Sequence, residues 1–323
     1  MSSDLTRSSS SDFRGDMLLT ALLADLSRID DLSVTVLRLS SQGLHNLPDN
    51  VSVVMSGSDD CAAALVQCIA DADAVWPLAP ESDGLLESIS RMALQNGKLL
   101  IGSSPDAVHL AGSKYLTSQV LRGAGITTVA TYFSTDTLPP NAQAWIVKPD
   151  DGAGCSDTHL FSHAALARQW IAARPACAVV LQPYVAGRPC SLSLLCGSSE
   201  LFLLGCSEQR IAAADHRIHY LGSTVNSISD TDGQLERLAR RVVAAIPGLW
   251  GYVGIDIILT EQGPVVLAVN PRMTMCHAGL HDSIGANPAG MLVEILRSGR
   301  CSEPRRQKNR QVSIDVDGGL PRH

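Results

Sequence analysis

The segment GYVGIDIILTEQGPVVLAVNPR, residues 251–272, restricts the fold more than any other stretch of the chain. It reads as two strands joined by a tight turn. Both GIDIIL and VVLAVN are apolar on successive residues, so both faces of the hairpin must be covered. Such a hairpin is expected to be buried rather than to present a solvated side. Yet Asp256 lies within the first strand, and Asn270 and Arg272 end the second. With Glu261-Gln262-Gly263 as the loop and Gly263 at the φ > 0 position, Thr260 pairs with Pro264 and Asp256 faces Ala268. Asn270 then shares that face, because strand side chains repeat every second residue. Asp is rarely buried in a strand without a partner, and an Asp beside an Asn suits Mg²⁺, which takes oxygen ligands. Arg272 adds a planar fork suited to phosphate.

Elsewhere the chain changes texture once. LSVTVLRL (32–39), VSVVMS (51–56), DAVWPLAP (73–80) and KLLIG (98–102) read as strands alternating with helices, the rhythm of a parallel α/β unit. After a largely helical stretch (103–126), strand-like runs dominate: TVATYFS (128–134), AWIVKP (144–149), AVVLQPYV (178–185), CSLSLLCG (190–197) and ELFLLGCS (200–207). That is α+β with mostly antiparallel strands. The expected division is a flexible polar N-terminus (1–14), the parallel α/β domain (15–105), two strand-rich subdomains (106–180 and 181–298) and a polar basic tail (299–323).

A formal net charge of −7 argues against a nucleic-acid protein, whose binding face is normally basic. No run approaches the ~18–20 apolar residues of a membrane span. The nine cysteines are scattered without a C-x-x-C pair, which points to buried free thiols and a cytoplasmic protein. His277 and His281 are spaced four apart without an evident third ligand, and a non-metal role is expected.

Of 25 basic residues only Lys98, Lys114, Lys148 and Lys308 are lysines, so each is a candidate for a specific role. Lys148 ends the apolar strand AWIVKP and precedes Asp150-Asp151-Gly152-Ala153-Gly154-Cys155-Ser156. A lysine there can set its ammonium on phosphate oxygens, and a Gly-rich loop can offer backbone N–H groups to a triphosphate. It is not a Walker A loop, and no G-x-G-x-x-G occurs, which disfavours a dinucleotide-dependent dehydrogenase.

Together the hairpin and the two lysine segments, SKYLTSQVLRGAGITT (113–128) and AWIVKPDDGAGCSDTHLF (144–161), resemble the ATP-grasp superfamily of carboxylate–amine ligases. The resemblance implies a pre-ATP-grasp domain followed by two ATP-grasp subdomains. It implies ATP, with Mg²⁺ or Mn²⁺, bound by Lys114, Lys148, Gly152, Gly154 and Ser156. The adenine would be read near Gln182, Tyr184 and Val185. Asp256 and Asn270 become metal ligands, and Arg272 a phosphate contact that acts with Lys148 in catalysis. Position 268 should be a metal-bridging Glu and is Ala268, which leaves three readings: an inactive relative, a substitute acid (Glu208 or Asp215), or an engineered change. Gln209 and Arg210, ending a strand, and Glu81, at the carboxyl end of an N-terminal strand, are candidate substrate contacts. The combination of APESDGLL, the G-x-D strand (Gly254 and Asp256) and NPRMTMCHAGL looks most like the tyramine–L-glutamate ligase group of methanofuran-type cofactor assembly, which implies joining the γ-carboxylate of glutamate to an aromatic amine in one-carbon metabolism. The alternatives are an amino-acid ligase of another pathway, similar to the pyrrolysine-forming ligase, and a nucleotide-binding pseudo-ligase or regulatory subunit. Expected partners are small-molecule carboxylates and amines and a second copy of the chain, with no nucleic acid or membrane.

Overall fold

The structure, a computed structural model, describes residues 4–38, 47–57, 59–174, 178–198, 200–301 and 310–316. Cys177 and Lys308 lie outside these residues. The chain opens with α1 (Asp4–Leu26). The expected flexible N-terminus is therefore helical from residue 4, and the Ser-rich run lies within that helix.

The parallel α/β unit follows as β1 (Val34–Arg38), β2 (Val51–Met55), α2 (Cys61–Asp71), β3 (Ala74–Val75), α3 (Leu85–Gln95) and β4 (Leu99–Leu100). β1 pairs with β2 and β3 with β4, both parallel, as two separate ladders. The helical stretch divides into α4 (Pro105–Gly112) and α5 (Lys114–Gly123) at Ser113, whose extended backbone starts α5 and whose hydroxyl accepts from the Leu116 N–H.

The rest is one sheet with two helical layers. Its strands are β5 (Trp145–Pro149), β6 (His159–Phe161), β7 (Val179–Pro183), β8 (Arg188–Cys196), β9 (Leu201–Ala214), β10 (Arg217–Val225), β11 (Gly251–Thr260) and β12 (Gly263–Asn270). They run in the order β12-β11-β8-β9-β10-β6-β5-β7. A single pair, Arg217 with His159, joins the β5–β7 part to the rest. α6 (Ala164–Ala172) covers the smaller part, where Trp145, Val147 and Leu181 are buried.

On the larger part, α7 (Gln234–Ala245) lays Leu235, Leu238, Ala239 and Val242 against Leu192, Leu194, Val253, Ile255 and Ile257. α1, α8 (His277–Ile284) and α9 (Pro288–Ser298) cover the opposite face over Leu195, Leu204 and Tyr252. The hairpin is thus buried on both sides, as its double apolarity requires. Each fully buried Ile or Leu there contributes about 1.5–3 kcal/mol.

Several expectations are corrected. TVATYFS forms no strand; only Thr128 and Tyr132 make isolated bridges, to Val266 and Leu181. β9 continues to Ala214 and turns back as β10, a strand whose polar RIHYLGSTV pattern gave no apolar run. The basic tail is not wholly solvated: β13 (Val312–Asp315) pairs antiparallel with β10.

Candidate functional site

Along the face under α8, apolar side chains give way to polar ones toward one end of the strands. Tyr252 and Leu195 come first, then Ser193, Ser191 and Asp256. The hairpin turn is tighter than expected, with Thr260 paired to Gly263 and Leu259 to Pro264. A bulge between Asp256 and Ile257 absorbs the difference, so Asp256 still faces Ala268. Asp256 Oδ2 accepts from Asn270 Nδ2 at 3.0 Å, and Oδ1 accepts from Gln209 Nε2 at 2.9 Å. Burial raises the Asp256 carboxyl above the usual carboxylate range; hydrogen bonds from Asn270 and Ser191, and the charges of Arg272 and Lys148, oppose that rise.

Lys148, on β5, is 8% exposed. Burial, reinforced by the charge of Lys114, lowers its ammonium from the ordinary 10.5 to about 7. Lys114, the first residue of α5, is also lowered by burial. Its Nζ donates to the carbonyls of Asp150 (2.8 Å) and Gly152 (2.7 Å).

The loop after β5 is pinned from two further directions. Asp150 accepts from Ser113 Oγ (2.6 Å) and the Tyr115 N–H (2.9 Å). Asp151 Oδ2 accepts from the Asp83 N–H (2.9 Å), and its carbonyl from Ser82 Oγ (3.2 Å). Gly154 and Cys155 both take left-handed backbone, and Ser156 is exposed beyond them.

Arg272 Nε donates to Glu81 Oε2 at 2.7 Å, so the N-terminal α/β unit reaches the hairpin directly. Glu81 is 8% exposed, and its Oε1 is buried without a hydrogen-bond partner. Gln182 is also buried; Nε2 donates to Thr131 Oγ1 (2.8 Å), while Oε1 has no partner. Tyr184 is exposed and its N–H donates to the Ala144 carbonyl (2.9 Å), so that donor is already used; Val185 beside it is half-buried.

Arg210 does not join the group. It sits mid-strand with its side chain on the opposite face from Gln209, bonded to Thr224, Ser313, the Ile314 carbonyl and Asp315. Glu208 shares that outer face and pairs with Arg188 (2.9 Å), and Asp215 lies in the β9–β10 turn, so neither acid reaches Asp256. The two histidines flank Asp25 of α1: His281 Nδ1 bonds its carboxylate, and His277 Nε2 lies 3.4 Å away, too long for a good hydrogen bond. Among the described residues no group of three or more His, Cys, Asp or Glu could hold a metal ion.

Sequence reasoning missed the buried hydroxyl row beside Asp256: Ser191, Ser193, Ser207 and Ser223, with Cys276 among them. Tyr252 Oη donates to Ser193 Oγ and Tyr220 Oη bonds Ser223 Oγ, both at 2.8 Å. The S-L-S alternation of 191–193 was the available signal. A groove of about 600 Å³ lined by Thr135, Pro139, Trp145 and Arg168 lies elsewhere, and none of the candidate residues lines it.

The chain is 27% identical over 240 residues to the tyramine–L-glutamate ligase of Methanocaldococcus jannaschii, covering 74% of this chain and 67% of that one. It is 25% identical over 269 residues to the enzyme of the same name from Methanocaldococcus fervens, covering 82% of each. Among solved structures, the L-amino acid ligase of Bacillus licheniformis superposes with a TM-score of 0.67 at 15% identity, over 86% of this chain and 71% of that one, a likeness of fold. A pre-ATP-grasp domain model matches residues 32–108. The ATP-grasp domain model matches residues 111–276, a span that holds Lys114, Lys148, Asp256, Asn270 and Arg272, and the chain belongs to the ATP-grasp family.

Proposed function

We propose that this chain is an ATP-dependent carboxylate–amine ligase that joins glutamate to an aromatic amine such as tyramine. The observation that carries the proposal is electrostatic. Lys148 is buried beside Lys114, and Asp256 is enclosed within reach of Lys148 and Arg272. A lysine pushed down to about 7 is short of an anion, and a carboxyl pushed up is short of a cation. Nucleotide phosphate and a divalent ion supply both, so the residues present fit the group. Two orphaned acceptors, Gln182 Oε1 and Glu81 Oε1, fit an adenine amino group and a substrate ammonium respectively.

In this reading residues 15–105 form the pre-ATP-grasp domain, 106–180 the small ATP-grasp subdomain and 181–298 the large one. Lys114, Lys148 and the loop at Gly152, Gly154 and Ser156 hold the phosphates. Within that loop the Gly152 N–H already donates to the Pro149 carbonyl (3.4 Å) and the Ser156 N–H to the Ala153 carbonyl (3.1 Å), so the Gly154 N–H and the Ser156 hydroxyl are the donors left for them. The adenine edge is read near Gln182, the Tyr184 carbonyl and Val185. Asp256 and Asn270 would hold Mg²⁺ or Mn²⁺, and Gln209 steadies Asp256 through its 2.9 Å hydrogen bond. The bound ion neutralises phosphate charge. A substrate carboxylate oxygen attacks the γ-phosphorus, and the bond to the ADP oxygen breaks. The amine then attacks the acyl carbon of the acyl phosphate, losing a proton as phosphate leaves. Lys148 and Arg272 stabilise charge on the transferring phosphoryl group; no covalent nucleophile on the protein is needed. Glu81 sets Arg272 in place.

Ala268 favours a second reading, a nucleotide-binding pseudo-ligase. The two separate on incubation with Mg²⁺, ATP, glutamate and a panel of amines, following ADP and product mass. ADP release that requires both substrates supports the ligase. Nucleotide binding without turnover supports the pseudo-ligase and removes the first reading.

A further inference from the structure

Helix α1 precedes both family-matched segments, yet it reaches the loop after β5 through Arg14. Its C-terminal half is fixed to the larger part of the sheet. Leu22 and Leu26 are buried in one core with Leu280, Ile284 and Leu292, Asp25 bonds His281, and Asn287 Nδ2 donates to the Asp25 carbonyl (2.7 Å). About three turns back along the helix stands Arg14. Its Nη1 donates to the Gly154 carbonyl at 3.2 Å, and Nη2 lies 3.5 Å from the Tyr220 carbonyl. The guanidinium carbon is 5.6 Å from the centre of the Tyr220 ring, a cation–π distance. No carboxylate pairs with Arg14 among the described residues, and its Nε is buried without an acceptor. This arginine is therefore committed to main chain of the Gly-rich loop rather than to an acid.

The loop needs an outside hold. Gly154 and Cys155 are consecutive left-handed residues, and a non-glycine residue keeps that conformation only where its surroundings fix it. A trans peptide sends its carbonyl and N–H in opposite directions, so fastening the Gly154 carbonyl also fixes where the Cys155 N–H points. Cys155 lies within electrostatic reach of Lys148, Lys114 and Arg14 together.

We propose that α1 is a strap and Arg14 a positioning residue that holds the phosphate loop at Gly154 in its nucleotide-binding shape. This rests on the ligase reading for what the loop binds, but not for the strap itself. The test uses the full chain with Arg14→Gln and Arg14→Lys. Without nucleotide, R14Q is expected to speed amide exchange of residues 152–157 about tenfold while exchange in β8 and β11 and the melting temperature stay unchanged. With nucleotide, KM for ATP rises about five- to tenfold and kcat changes less than twofold, a loss in binding rather than chemistry. R14K, which keeps the charge, recovers part of both effects. Unchanged exchange at 152–157 in R14Q overturns the strap, as does faster exchange spread over the whole chain. Should R14Q fail to fold, wild-type exchange rates at 152–157 in Arg14→Met, which keeps the stem and removes every donor, overturn it equally. A wild-type chain that binds no ATP defeats the ligase reading, while loop exchange still decides the role of Arg14.

Discussion

Nucleotide binding should take up protons, because Lys148 is largely neutral in the unliganded protein above neutral pH. With its ammonium lowered to about 7 by burial and by Lys114, it is about one-tenth protonated at pH 8. A phosphate oxygen beside it restores the charged form and moves it back toward the ordinary 10.5. Binding at pH 8 should therefore absorb about 0.9 proton from this group, and affinity should fall about tenfold (~1.4 kcal/mol) per pH unit above 7. Lys114, lowered in the same direction, adds to the uptake. For stability the sign runs the other way. The unfolded chain holds this proton up to 10.5 and the folded chain releases it near 7, so this group makes the unliganded protein more stable as pH rises through that window. The assay is calorimetric titration of Mg-ADP at pH 8 in HEPES and in Tris, whose ionisation enthalpies differ. The dependence of the observed heat on the buffer counts protons. Lys148→Arg, always charged, should lose most of the uptake. An uptake below ~0.2 proton, or one unchanged in K148R, refutes the reasoning.

Ala268→Glu should raise Mg²⁺-dependent turnover by orders of magnitude, and should lower the melting temperature in metal-free buffer by setting a second carboxylate beside Asp256; unchanged turnover would mean the site works without a bridging acid. Mn²⁺ without nucleotide should bind no tighter than ~1 mM, since one carboxylate and one amide make a poor site; a micromolar site in paramagnetic titration would contradict this. Gly222→Ala should detach β13, because at φ +139° a Cβ would meet the Ile314 carbonyl oxygen at 2.0 Å and Arg210 Nη2 at 2.6 Å. Amide exchange at 312–315 should become fast while global stability falls by about 2 kcal/mol, and retained protection there would show that the strand shifts to accommodate the methyl.

The parallel α/β unit was legible because each element carries its own period and its own stop, as at Gly97 after α3. The face shared by Asp256, Ala268 and Asn270 was legible from parity, although the turn and the bulge departed from the assumed geometry by one residue each and cancelled. What failed depends on partners far away in the chain. Residues 128–134 have strand-like composition, but Thr128 and Tyr132 bridge to separate strands, β12 and β7, and Thr131 serves Gln182 instead of a ladder. β10 holds Arg, His, Gly and Ser and persists because β9 and β13 supply its ladders. β13 is four residues long and gains Arg210 as an anchor, which is why that arginine is missing from the site. The apolar strand AWIVKP hinted that Lys148 is enclosed, but the degree of enclosure and the charge of Lys114, which together lower its ammonium, come from segments distant in the chain.

Strand parity also decides how the site can live with Ala268. Gln209 turns toward Asp256, so Glu208 must face away, and Arg188 holds it there. Asp150 and Asp151 are engaged by α5 and by the turn at Ser82 and Asp83, and Glu81 is paired with Arg272. Against Lys114, Lys148 and Arg272, the inner face of the hairpin offers one carboxylate. A bridging acid would hold two divalent ions without help; one acid flanked by two amides can hold an ion firmly only when nucleotide phosphate contributes the remaining oxygens and charge. In the ligase reading, Ala268 would thus shift metal binding from the protein to the protein–nucleotide pair, the ion entering with the phosphates.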